Sequence, residues 1–480
     1  MKKVIFTLLF MQLIFASAFA GQGGDNPVIT RENAPESTKW RLTDIYPDMK
    51  AWASDLEKAE SLLKEMSSLK GTLGKAPENL LRYYTLGDEF GKITTKLYCM
   101  VYLQRSLDSR DPQVSENFQR MQAFGLRTSQ ELAWTTPELV TIPKETAMKW
   151  ADNNKAFKPY RFSMENLYRL QDHVLPGDQE QLVSYFSGLA EVPSSIYTEV
   201  AISDNKYPQF VRSNGETVTL TRPMLSNILN FSTDRNERQR AYEAFTENYK
   251  ARENTMAAIL HSVAKSNVAY AQAYKFNSTL EASLNSPNIP VSVYESLIKV
   301  AGENPEPLQR YMKLRKEILK IEDYAPWDGN IPLGTFNRTY SYDEAKAMIV
   351  EALKPLGNEY STGIQQALNG GWIDVYEGEA KETGAYSMGV YGVHPYILLN
   401  YDQTTNAVST MAHELGHTMH SMFSAANQPY RTYQYSSFVA EVASNFNEEL
   451  LLDYMLKKTN DKAERIALLD QAITNLIGSF

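Results

Sequence analysis

Residues 408–423 read VSTMAHELGHTMHSMF, and inside them His413, Glu414 and His417 stand in the spacing H-E-x-x-H. On a helix, two histidines four residues apart lie about 40° from each other around the axis and one turn apart along it. Imidazoles so placed can bind one Zn²⁺, and Glu414 between them can take a proton from water that the metal has acidified. The chemistry would be hydrolysis. The pentapeptide is short enough to arise by chance, so a third ligand is needed. A third histidine six residues after His417 is excluded, because that position is Phe423. A glutamate on a following helix is the alternative. Glu441 sits in QYSSFVAEVASNFNEELLLDYMLK, residues 434–457, beside Phe438, Val439 and Val442. A carboxylate in apolar surroundings needs a partner, and a metal ion would be one. Glu448 and Glu449, where the helix turns more polar, are the weaker choices. His420 lies about 20° around the helix from His413. It reads as a packing or supporting histidine, since two histidines and a glutamate leave the fourth position to water.

These residues need elements to hold them. Residues 408–423 contain no proline and place Met411, Leu415, Met419 and Met422 three and four apart, the spacing of a helix. Just upstream, residues 371–401 read GWIDVYEGEAKETGAYSMGVYGVHPYILLNY. Gly371, Gly378, Gly384, Gly389 and Gly392 punctuate this stretch before the apolar run Tyr396–Leu399. The pattern predicts a small β-element beside the histidine segment. His394, ahead of that strand, faces substrate or holds a loop; both readings stand. His173 and His261 lie in unrelated helical stretches and read as ordinary. Helical patterns dominate from about Trp40 onward. Asp234 with Glu237, Ser292 with Glu295 and Ser341 with Glu344 are candidate helix starts, and Asn214-Gly215 marks a hairpin turn within residues 204–218.

A chain of 480 residues has room for two to four domains, or for one large helical body with a cleft. Its net charge is −9 and it has no basic run, which argues against nucleic acid as a partner. The first twenty residues, MKKVIFTLLFMQLIFASAFA, join Lys2 and Lys3 to a short apolar run and an A-x-A site. They read as a signal peptide cut after Ala20, with an apolar run too short to span a bilayer. The expectation is an exported protein, periplasmic or secreted, with no membrane anchor after cleavage. Cys99 is the sole cysteine, so no intramolecular disulfide forms.

Taken together, HELGHTMHSMF, FVAEVASNFNEE, residues 371–401, KWRLTDIYPD at 39–48 and TLEASLNSPNIPVSVYESLI at 279–298 resemble the oligoendopeptidase F branch of the thimet-oligopeptidase-like zinc metallopeptidases. The resemblance covers almost the whole chain after residue 38. It implies a mainly α, clam- or saddle-shaped zincin-type peptidase with a small β-element beside the active-site helix, and a channel that admits short peptides. It implies one zinc ion per chain held by His413, His417 and Glu441, with Glu414 as general base. It also implies that the strand Tyr396–Asn400 takes the peptide backbone as an added antiparallel strand. The corresponding division is a flexible lead-in at 21–38, an N-terminal helical domain at 39–200 and a metallopeptidase domain at 201–480. Proteins of this kind carry further helices whose histidine and tyrosine side chains steady the oxyanion. Their absence here leads to the expectation that a C-terminal part is missing, and to the competing reading of a catalytically weak or inert peptide-binding protein. A carboxypeptidase or dipeptidase of related architecture is a third reading. No acid lies four residues after Glu441, where Ser444 and Asn445 stand, so support for the zinc histidines is left open.

Overall fold

The computed structural model describes residues 29–479, apart from 187–188, 190–191 and 335–337. The segment read as a signal peptide lies outside the described residues. Among the described residues, no helix is long and apolar enough to cross a membrane.

The N-terminal half is built on three antiparallel-packed helices, α1 (Met49–Ser68), α2 (Pro77–Leu107) and α3 (Pro112–Glu131). Asp48 caps α1 by accepting from the N–H groups of Lys50 and Ala51, and Asp111 caps α3 in the same way through Gln113 and Val114. Along α1, Trp52, Leu56, Ala59, Leu63 and Met66 recur at spacings of three and four and are all buried. They pack on Tyr83, Phe90, Leu97 and Met100 of α2 in one continuous core. Trp52 is fully covered, and its indole N–H donates to Leu97 O at 3.0 Å, so burial leaves no polar atom stranded there. Cys99 is buried in the same core, and burial pushes its thiol up to about 12.

Strands β1 (Gln209–Val211) and β2 (Thr217–Thr219) form the hairpin expected around Asn214-Gly215. Gly215 has φ +88°, a conformation in which glycine is at ease. Of the three expected helix starts, Ser341 caps Tyr342–Ala352 by accepting from Glu344 N–H, as anticipated. Asp234 caps its helix too, but Glu237 turns away to Arg212 Nε and Ser213 N–H. Ser292 is already inside its helix, which begins at Val291 after Pro290.

The second sheet has the order β3 (Ile373–Asp374), β5 (Tyr396–Leu398), β4 (Tyr386–Met388), with β3 parallel and β4 antiparallel to the central strand. Successive side chains of β5 point to opposite faces. Tyr396 and Leu398 join the core of α1–α3, whereas Ile397 and Leu399 join a second core with Val408, Met411, Ala412, Leu415 and Met419. An apolar run buried on both faces is what such a central position requires. This order corrects the expectation that Tyr396–Asn400 receives a peptide strand. Both edges of β5 are already paired, and Leu399 and Tyr401 continue the pairing through Asp374 O and Val375 O. The outer strands are β3, flanked by residues 38–41, and β4, which among the described residues has no backbone partner beyond β5.

The lead-in also differs from expectation from residue 29 onward. Arg31 lies 3.0 Å from Asp374, Val375 N–H donates to Thr38 O, and the Trp40 indole donates to Ile397 O at 2.8 Å. Asp374 is fully buried, so its carboxylate has to be met, and Arg31 joins Lys381 (2.8 Å) in meeting it. His394 takes the loop-holding role. It lies 3.0 Å from Asp44 and stacks on Trp372 at 4.4 Å.

Candidate metal centre

The histidines lie on the helix Thr405–Asn427, capped by Thr404, whose hydroxyl accepts from Ala407 N–H. Val408, Met411, Ala412, Leu415 and Met419 anchor its inner face and leave His413 and His417 on the flank that meets the helix Ala440–Lys458. Glu441 stands in the first turn of that second helix. His413 Nε2 and His417 Nε2 are 3.2 Å apart, and Glu441 Oε2 lies 3.2 Å from the first and 3.3 Å from the second. Three electron-pair donors thus converge on one point. A tetrahedral zinc with bonds of about 2.0–2.1 Å spaces its ligand atoms about 3.3 Å apart, so the residues present fit that ion. Among the described residues, this trio alone groups as a candidate metal cluster.

Two contacts hold the trio in that pose. Glu448 Oε1 lies 2.6 Å from His413 Nδ1, and its other oxygen accepts from Ser409 Oγ at 2.8 Å. A carboxylate only accepts, which assigns the proton to Nδ1 and leaves the Nε2 lone pair for a metal. Ser444 Oγ donates to Glu441 Oε2 at 2.8 Å. The support left open in the sequence therefore comes from Glu448, seven residues after Glu441, and from Ser444. Seven residues are two turns, so Glu441 and Glu448 share a face. That spacing was the available signal.

Gly416 does work that the H-E-x-x-H pattern leaves unassigned. A Cβ there would sit 2.6 Å from Ala443 O and Ser444 Cα, so the two helices cross at backbone contact. Asn447 ties the same crossing by donating to Ala412 O at 3.0 Å and accepting from Tyr360 OH at 2.8 Å.

The electrostatics follow from burial and charge. Glu414 is buried, which raises its carboxyl above the usual range although His413 and His417 pull the other way. Its Oε2 has no hydrogen-bond partner among the described residues, an orphaned acceptor beside the converging trio. Burial opposes charge on Glu441 as well, but hydrogen bonds from His413 and His417 hold it well below the carboxylate range. Burial also opposes charge on His413, yet Glu441 and Glu448 raise it to about 10.

One step of the sequence reasoning is corrected here. Phe438, Val439 and Val442 do not bury Glu441; they are 64%, 38% and 66% exposed. The carboxylate faces the histidines, and its apolar neighbours in sequence face away. His420 stands outside the trio, stacked on Tyr435 at 3.6 Å. His173 stacks on Phe276 and His261 is exposed. Beside the trio, β4 packs on the histidine helix, with Ser387 Oγ 2.8 Å from Thr418 Oγ1 and Gly389 against Ser421.

The chain is similar to known proteins along most of its length. Residues 228–479 match the family model described as peptidase family M3, and residues 138–207 match the model described as oligopeptidase F. Oligopeptidase PepF of Bacillus subtilis is 30% identical over 95% of this chain and 68% of its own length. The chromosomal oligoendopeptidase F of Lactococcus lactis subsp. cremoris is 32% identical over 94% of this chain and 75% of its own. A crystal structure from Chlamydophila abortus superposes with a TM-score of 0.77 at 31% identity, covering 95% of this chain and 76% of that one. The oligoendopeptidase F structure from Enterococcus faecium shares the fold, with a TM-score of 0.66 at 24% identity over 89% of this chain and 71% of its own.

Proposed function

Because this chain belongs to peptidase family M3 and is a peptidase, we propose that it is a zinc-dependent endopeptidase of short peptides in which Glu414 is the general base. The observation that carries the reading is the convergence of His413, His417 and Glu441 beside the orphaned oxygen of Glu414. Zinc bound there would act as a Lewis acid on the scissile carbonyl and make water acidic enough to attack near neutral pH. Glu414 Oε2 takes a proton from the attacking water as its oxygen bonds to the carbonyl carbon. The same carboxyl then delivers that proton to the leaving nitrogen as the C–N bond breaks. Glu448 keeps His413 in the tautomer that offers Nε2.

The peptide backbone pairs with the open edge of β4, Tyr386–Met388, rather than with β5. Main-chain pairing at a sheet edge reads extended shape more than sequence and suits a peptidase with many substrates. The proposal includes export, resting on residues 1–20, with short peptides and no nucleic acid as partners.

The test is an internally quenched peptide capped at both ends. Cleavage is expected, with loss on chelation, recovery with Zn²⁺, and a fall on the order of 10²–10⁴-fold in Glu414→Gln. Cleavage that survives both chelation and the substitution would refute the mechanism. A capped peptide left whole while free-ended peptides are trimmed would replace the endopeptidase reading with an exopeptidase one.

A further inference from the structure

We infer that α2, in the N-terminal helical layer, positions Glu441 through a latch formed by Asp88 and Gly91 with Tyr430 and Arg431; the inference rests on the metal site proposed above. The latch lies in the connection between the histidine helix and the glutamate helix, residues 428–439. Arg431 Nη2 lies 2.7 Å from Asp88 Oδ1, with each side chain only 14% exposed. The same nitrogen donates to Tyr84 O at 3.1 Å. The guanidinium sits over the rings of Tyr84 and Tyr160, which stack on each other at 4.9 Å. Tyr430 OH is 3.1 Å from Thr95 Oγ1. A Cβ on Gly91 would fall 2.5 Å from the Tyr430 hydroxyl, and one on Gly87 would fall 3.0 Å from Arg431 Nη2. Glycine inside a helix weakens it relative to alanine. On α2 these two glycines open the seat that the connection occupies.

The connection is then fastened to the histidine helix. Ser424 Oγ donates to Tyr433 O, and Tyr435 stacks on His420 with its hydroxyl 3.2 Å from Ser421 Oγ. Glu441 follows six residues later. The contact at Gly416 sets how close the two helices come, but it acts at Ala443 and Ser444. In the turn holding Glu441, Phe438, Val439 and Val442 are exposed while Ala440 and Ser444 are buried, so the turn is packed on one flank only. The fastened connection fixes where that turn begins. Asp88, Gly91, Tyr430 and Arg431 are therefore positioning residues that lie outside the ligand trio.

The experiment measures Zn²⁺ affinity of the full chain by competition with a chromogenic chelator, and the visible absorption of the Co²⁺-loaded protein, which reports ligand geometry. Asp88→Asn and Gly91→Ala are each expected to weaken Zn²⁺ binding on the order of tenfold, the size of effect typical for groups that orient ligands, and to shift the Co²⁺ spectrum. Glu89→Gln, which removes a half-exposed ion pair with Lys58, is the control and leaves both unchanged. If Gly91→Ala does not fold, Asp88→Asn, which keeps the side chain's shape, carries the test. Wild-type affinity and spectrum in the latch variants overturn the inference while leaving the metal site intact. A wild-type chain that binds neither ion overturns the metal site itself.

Discussion

Replacing Gly416 by alanine adds one methyl group where the two ligand-bearing helices cross. Taken alone, alanine favours a helix over glycine by about 1 kcal/mol, so propensity predicts a more stable protein. Geometry predicts the opposite. The new Cβ would lie 2.6 Å from Ala443 O and Ser444 Cα, against 3.4 Å where ordinary contact begins. Both are main-chain atoms, so no flexible side chain can swing aside, and the helices must part by about 0.8 Å or tilt. Overpacking of this kind destabilises by about 1–3 kcal/mol, which outweighs the propensity gain or nearly cancels it. The metal site is the more sensitive gauge. Metal–ligand bonds tolerate about ±0.2 Å, and Glu441 Oε2 starts 3.2–3.3 Å from the two imidazole nitrogens. A separation several times that tolerance removes Glu441 from the set unless the helix re-forms around it. Zn²⁺ affinity should fall on the order of 10–100-fold while far-ultraviolet circular dichroism stays helical. Competition with a chelating dye reads the affinity. Wild-type affinity in Gly416→Ala, with an unchanged or raised melting temperature, would refute the claim that backbone contact at this crossing sets the ligand geometry.

Three further outcomes are expected. Glu448→Ala frees the Nδ1 proton of His413 and should lower Zn²⁺ affinity on the order of 10–100-fold, read by the same competition; unchanged affinity would show that Glu448 does not set the tautomer. Zn²⁺ should raise the melting temperature of metal-free protein, with about 2.7 kcal/mol of added stability at a hundredfold excess over Kd, and Glu441→Ala should lose most of that gain. Asp328 is fully buried and meets Arg238 at 3.0 Å, so Asp328→Asn leaves Arg238 underpaired and should destabilise by about 3–5 kcal/mol in a denaturant titration. Burial opposes charge on Asp328, but Arg235 and Arg238 hold its carboxyl below the usual value. A carboxyl lowered by folding stabilises above its unfolded value, near 3.9, and that stability is lost as pH falls through the folded value. The variant should therefore lose less stability on acidification than the wild type.

The histidine helix was legible because its evidence is local: apolar positions at helical spacing, no proline, and two histidines one turn apart. Glu441 was legible as a residue type at a sensible distance, though for a mistaken reason, since Phe438 and Val442 face outward. Glu448 was visible only as a spacing of seven, which has no meaning until the first glutamate is placed. The role of β5 was misjudged because strand order is a tertiary fact. An apolar run says that a strand is covered on both faces; it does not say that both of its edges are paired, here by the strands at residues 373–374 and 386–388. The fixing of the lead-in by Asp374, and of Arg431 by Asp88, joins positions more than 340 apart. No window along the chain displays such pairs.

Tyr396 and Ile397 are neighbours in sequence but belong to different cores. Side chains alternate along a strand, so a slip of one residue exchanges its faces. Loss or gain of a single codon between Gly389 and His394 would therefore be more damaging than its size suggests. The tyrosine, which donates to Arg41 O at 3.2 Å, would be driven toward the helix bearing His413, and Ile397 would be driven toward α1–α3. Substitutions in that loop can be absorbed one at a time, whereas a change in its length is felt on both sides of the sheet at once. Among related genes the loop should drift in spelling while keeping its residue count.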